Sequence, residues 1–364
     1  MKNLSELREK YNALVKREIA KNKEILLESF IEYYGEKNRR VIESRFNQIV
    51  FAYYVDFDTI DYFIKTNENL QSEKYRPFLE FKDAHNDGSA EFNDKILPYN
   101  FMGITDERVL DNDVILNKIK SRIQGKNPFS SYIRDPWTKE ITRLVCFELF
   151  SSSEQTVIHE INHSVTRDRE FEFISEDWSR GGSVEKIGLM VDDDDESIQD
   201  GLLEELINDK TSIEIAKIFK RRGGDLSSFL MGGVYMSSYE LNYYMIDEFF
   251  QHFEEFLKDA RIGDNKNNII KRVGKENYAL FCQKINRYYA VKDTPYIVKN
   301  YLSDEYKDKV LEDLSSLVAL MKEYSDTSEY YSKEELEQYY EYLKKQGHNV
   351  IILNEPDNSG KMRK

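Results

Sequence analysis

Residues 156 to 166 read TVIHEINHSVT, setting two histidines four apart in a run that otherwise reads as a buried helix. On an α-helix, positions i and i+4 share one face about one turn apart. His159 and His163 therefore point toward a common spot, and Glu160 is the next residue around from the first of them. The plain alternative is a pair of core or solvated histidines that share nothing. Whether the rest of the chain supplies the partners such a spot lacks decides between the two.

The chain has 364 residues, enough for two or three domain-sized units with a substantial core. Its 40% hydrophobic and 13% aromatic content is that of globular material. Six prolines and sixteen glycines suit long helices better than a turn-rich β fold. A net charge of −15 repels phosphate backbones, which argues against nucleic acid as a partner. The one clear basic run, Lys217 to Arg222, reads as the positive end of a helix. Cys146 and Cys282 are too few and too isolated for a disulfide framework. The first thirty residues hold no signal-peptide core, and no stretch approaches the ~18 to 20 apolar residues of a membrane span. The expectation is a cytoplasmic protein with no membrane partner, with export lacking a cleaved signal left open.

Periodicity divides the chain into a helical N-terminal region (1–70), a core (71–235), a helical C-terminal region (236–350) and a polar tail (351–364). In the first, Leu4, Leu7, Tyr11, Leu14, Val15 and Ile19 recur at helical spacing, and Val41, Ile42, Phe46, Ile49, Val50 and Tyr53 predict the second arm of a helical hairpin. The β-branched and aromatic run at 141–149 is the best strand, and Ser153 is placed to cap the histidine helix. Residues 176–200 read as a loop with short elements. Its run Asp192 to Asp195 lacks the ligand spacing of a calcium loop and reads as solvated. Helices follow at 201–222, ended by Gly223-Gly224, and at 237–259, 275–289, 303–324 and 332–346. The fold class expected is α+β, mostly α-helical, with a small sheet.

Two neutral imidazoles at this spacing can hold one zinc ion, leaving Glu160 free to reach a water on it. A third ligand is then needed. His85, His252 and His348 qualify on residue type, although His252 lies in an aromatic helix stripe and reads as structural. The segment GLLEELINDKTSIEIA (201–216) offers a more specific answer in Glu205, with Asp209 four residues later on the same face. Glu205 could complete the ligand set, and Asp209 could accept the spare N–H of a liganding histidine. Glu204 is the rival, about 100° around the helix. Glu205 is preferred because only it has an aspartate four residues on; for Glu204 that position is Asn208.

VIHEINHSVT resembles the active-site helix of the thermolysin-like gluzincins, in which H-E-x-x-H is followed by a small residue, Val and Thr, here Ser164, Val165 and Thr166. Their second motif, Gly-x-x-Asn-Glu-x-x-Ser-Asp, is matched at Gly201, Glu205 and Asp209. Glu204 stands where the family has asparagine, Asn208 where it has serine, and the segment 164–204 is longer than in thermolysin itself, so smaller bacterial gluzincins look nearer. The resemblance spans about residues 140 to 222. It implies a zincin-like core in which an active-site helix meets a glutamate helix. His159, His163 and Glu205 would hold one Zn2+ per chain, Glu160 would be the general base, and Asp209 would steady a liganding histidine. The strand at 141–149 would be the edge along which a peptide or protein substrate pairs. The family also uses a Tyr or His after the glutamate helix to steady the developing oxyanion. Here MGGVYMSSYELNYY offers Tyr235 and Tyr239, and Tyr239 is preferred, near a helix start after a Gly-rich turn. The other reading is a zincin scaffold that binds or regulates without turnover, its terminal helical regions engaging a partner.

Overall fold

The computed structural model describes residues 4–66, 73–86, 100–106, 127–134, 141–174, 181–191, 200–230, 239–263, 266–289 and 303–329, with a few isolated positions besides. The chain is α+β and mostly helical, with a four-stranded mixed sheet and a smaller three-stranded one. Helix α1 (Leu4–Tyr34) buries Leu7, Tyr11, Val15, Leu26 and Phe30 along one stripe and stops at Gly35, whose φ of 89° a side chain would resist.

The second arm of the expected hairpin is corrected. Helix α2 (Arg39–Phe46) ends early, and Ile49–Asp56 form strand β1. The run from Phe51 to Val55 is buried on both faces, so it reads as the continuous apolar strand of a sheet interior rather than one side of a helix. Helices α3 (Phe57–Thr66) and α4 (Arg76–Asn86) follow, then β2 (Asn100–Ile104), β3 (Phe129–Arg134) and β4 (Ile141–Glu148). The strand order is β2-β1-β4-β3, with β1 and β4 parallel at the centre and the outer pairs antiparallel. The expectation that 141–149 is an edge strand is therefore also corrected. Its unbroken apolar run fits it for an inner position, and the shorter, more polar β3 takes the edge.

One face of the sheet, with Tyr53, Val55, Val145 and Phe147, packs on α1 and on helix α5 (Glu154–Thr166). The other face, with Ala52, Tyr54, Met102, Leu144 and Cys146, packs on Ile119 and Ile123. Strands β5 (Arg167–Ile174), β6 (Gly181–Ile187) and β7 (Met190–Val191) continue from α5 as an antiparallel sheet; β6 and β7 are short elements within 176–200, where such elements were expected, and β5 precedes that stretch.

Helix α6 (Gly201–Arg221) joins two cores. Leu203, Leu206 and Ile207 enter a helical cluster with Phe249, Phe253, Tyr278 and Phe281, while Ile215 and Phe219 enter the core under α1. It ends as expected: Gly223 takes φ 85°, its N–H reaches the Lys220 carbonyl, and the Gly224 N–H reaches the Phe219 carbonyl. The helix expected at 237–259 divides into a 3-10 turn, Glu240–Met245, and helix α7 (Asp247–Ile262). Helices α8 (Lys266–Val273), α9 (Lys275–Tyr288) and α10 (Asp304–Glu329) complete the second core. The helix expected at 332–346, the run Asp192–Asp195 and the tail lie outside the described residues. No helix among the described residues is long and apolar enough to cross a membrane.

The end of β4 prepares the entry to α5. The buried Glu148 carboxylate accepts the backbone N–H of Asp56 (3.2 Å), of Phe150 (2.8 Å) and of Ser151. Burial pushes its pKa up from 4.5 to about 7, against the pull of those N–H groups. A carboxyl raised on folding lends stability that is full below about 4.5 and lost as pH rises through about 7. Unfolding followed against pH should show wild-type stability falling relative to Glu148→Gln across that window, by about 3 kcal/mol. A difference that is flat with pH would mean the carboxylate stays ionised in the folded chain.

Candidate metal centre

Ser153 caps α5 as its sequence suggests: its hydroxyl accepts the Thr156 N–H at 3.1 Å, and Thr156 Oγ1 accepts the Ser153 N–H at 3.3 Å. At the other end two buried arginines take up carbonyls that the helix leaves open. Arg143 donates to Ser164 and Arg167, both at 2.6 Å, and Arg45 donates to Val165 at 3.0 Å. Cations belong at that end of the helix dipole. Val157, Ile158, Ile161 and Val165 fasten the helix to the core, which leaves His159 and His163 facing α6.

There Glu205 meets them. His159 Nε2 and His163 Nε2 stand 3.1 Å apart, and Glu205 Oε2 lies 3.5 Å from the first and 3.3 Å from the second. Donors about 2.0 to 2.1 Å from a tetrahedral ion are roughly 3.3 to 3.4 Å from one another. These three residues could hold a metal ion, and they are the grouping of that kind found among the described residues. Asp209, fully buried, accepts from His159 Nδ1 at 3.0 Å, which leaves Nε2 facing the other two candidate ligand atoms.

The electrostatics also call for a cation. Burial alone would lower the pKa of His159, yet hydrogen bonds to Asp209 and Glu205 and the charge of Glu160 outweigh it and raise the value to about 10. The Glu205 carboxyl, despite burial, is held well below its usual range by His163 and His159. Burial raises Glu160, with the two histidines partly offsetting it. Glu205 and Asp209 thus contact the imidazoles, with Glu160 close by, and the pair of shifts on His159 and Glu205 shows that the site favours positive charge.

Glu204 is not part of this triangle. It is 2% exposed and faces Arg261, itself 1% exposed, which donates to Glu204 Oε1 through Nε (3.1 Å) and Nη2 (2.7 Å). Arg261 Nη2 also donates to Asn208 Oδ1. The two positions where the chain departs from the gluzincin pattern, Glu204 and Asn208, are one turn apart and serve the same guanidinium. The network runs on into the histidine helix: Asn208 Nδ2 donates to the His159 carbonyl (3.2 Å), and Arg261 Nη1 to Tyr34, whose hydroxyl donates to Asn162 (2.7 Å). Gly188, at φ 59°, fits against Glu204, where a Cβ would come within 2.0 Å of Oε1.

Tyr239 lies at the start of the 3-10 turn with its ring parallel to that of His159, centroids 6.4 Å apart. Tyr235 and His348 lie outside the described residues. His85 stacks on Phe57 at 4.1 Å, and His252 sits beside Glu248 on α7, so neither joins the cluster. Two residues of the site are not among the candidates read from the sequence: Arg261, and Tyr243, whose hydroxyl donates to Asp209 Oδ2. Arg261 left a signal, since it interrupts the apolar stripe Leu257, Ala260, Ile262. Tyr243 left none among so many tyrosines. No known family, curated protein or solved structure matches the chain.

Proposed function

We propose that the chain is a zinc-dependent metallopeptidase, with His159, His163 and Glu205 holding one zinc ion. The observation that carries this reading is the triangle of two imidazole nitrogens and one carboxylate oxygen at 3.1 to 3.5 Å, with Glu160 beside it in the chain. Two histidines and a glutamate are a donor set of catalytic rather than structural zinc, because a fourth position stays open. Zinc bound there would lower the pKa of a water and polarise a carbonyl.

The chain's own residues do the rest. Glu160 takes a proton from the attacking water on its carboxylate and passes it to the nitrogen of the departing amine. Burial, which raises its pKa, suits it to both halves of that transfer. Asp209 keeps the proton of His159 on Nδ1. Tyr239, alongside the His159 ring, is the candidate donor to the developing oxyanion. Strand β3 supports a peptide substrate, for it is one of the two edges of the sheet and packs near α5, where an extended backbone could add a strand.

Metal analysis of the purified protein should find stoichiometric zinc, and a peptide library should be cleaved, with cleavage stopped by chelator and restored by added zinc. Zinc without cleavage of any peptide would instead make the chain a metal-bearing binding protein. Absence of zinc affinity would end the proposal altogether.

A further inference from the structure

Asp209 is fully buried, so both of its oxygens need donors. His159 Nδ1 supplies one at Oδ1 and the Tyr243 hydroxyl supplies one at Oδ2. The 3-10 turn aims that hydroxyl. Asn242 and Met245 on either side are buried, and the Ile246 N–H donates to the Tyr243 carbonyl at 2.9 Å. Lys210, next to Asp209 on α6, pairs with Asp247 just past the turn, and its ammonium lies 5.8 Å from the centre of the Tyr243 ring. A carboxylate anchored at one oxygen can swing about that contact. Anchored at both, its plane is fixed, and with it the direction of the His159 Nδ1–H bond.

We propose that Tyr243 is a positioning residue for the metal centre: its hydroxyl fixes the Asp209 carboxylate and, through it, the tautomer and ring orientation of His159. The proposal rests on the reading of His159, His163 and Glu205 as metal ligands. Tyr243 acts from behind the ligands, whereas Tyr239 lies along the ring of His159.

The test measures zinc dissociation constants by competition with a chromophoric chelator. It uses wild type, Tyr243→Phe, Tyr244→Phe, Asp209→Ala and the Asp209→Ala/Tyr243→Phe double variant. Tyr243→Phe should weaken zinc binding about tenfold, and Tyr244→Phe, which removes a hydroxyl from the same turn, should leave it unchanged. In the Asp209→Ala background Tyr243→Phe should add no further loss. Nuclear magnetic resonance of the metal-free chain supplies a readout that needs no zinc: the His159 Nδ1 proton should be protected from exchange in wild type and exchange-broadened in Tyr243→Phe. Equal zinc affinity in wild type and Tyr243→Phe overturns the proposal. So does an equal loss with and without Asp209, which would make the hydroxyl merely structural. A wild-type His159 with no protected Nδ1 proton overturns it without any variant. A wild type that binds no zinc overturns the metal-centre reading instead, and the Nδ1 proton still decides the positioning claim.

Discussion

Glutamine in place of Glu160 is expected to leave zinc binding intact and to lower peptide cleavage by a factor of about 10² to 10⁴. The amide has the size and shape of the carboxylate, so the buried site is not reshaped. Glu160 is also not among the three grouped donors. What the amide lacks is an oxygen that can take a proton and give it back. Because burial works against a charged Glu160, the neutral variant should fold at least as stably as the wild type in the metal-free chain. The measurement is kcat/KM with zinc content determined on the same sample. Activity close to wild type would remove Glu160 from the mechanism. Activity and zinc lost in equal proportion would instead make it a ligand.

The parts of this centre that were legible in the sequence are those fixed by one helix at a time. The spacing of His159 and His163 needs only the helical period, as does that of Glu205 and Asp209. The Ser153 cap and the Gly223-Gly224 stop are equally local and are found where the sequence puts them. Features that depend on distant partners were not legible. The residues from Ile49 to Val55 satisfy a helical and an extended pattern alike, and only pairing with β4, some ninety positions on, selects the strand. That same pairing, with β3 on the other side, puts β4 inside the sheet. In the sequence, only the aspartate four residues on distinguishes Glu205 from Glu204. The structure adds the reason on the other side, Arg261, which lies 57 residues from Glu204 in the chain.

Arg261→Met is expected to destabilise the chain by about 3 to 5 kcal/mol, because it leaves the Glu204 carboxylate buried without its cation. The methionine fills much of the volume but offers nothing to Glu204, Asn208 or the Tyr34 hydroxyl, all of which Arg261 now serves. Adding Glu204→Gln should recover part of the loss, since the uncompensated charge is the largest element of it. Denaturant unfolding measures both, and a loss below about 1 kcal/mol for the single variant would mean the pair contributes little beyond its own desolvation. Zinc affinity should fall as well, because Asn208, once released by Arg261, is the residue that donates to the His159 carbonyl. Glu204→Asn with Asn208→Ser would introduce the residues of the gluzincin motif, yet it should destabilise this chain, for Arg261 would then be the buried charge left alone. Only when Arg261 is replaced by an apolar residue at the same time should the two changes be tolerated. If the two changes were neutral in the presence of Arg261, the guanidinium would not be what holds Glu204 and Asn208 in this sequence.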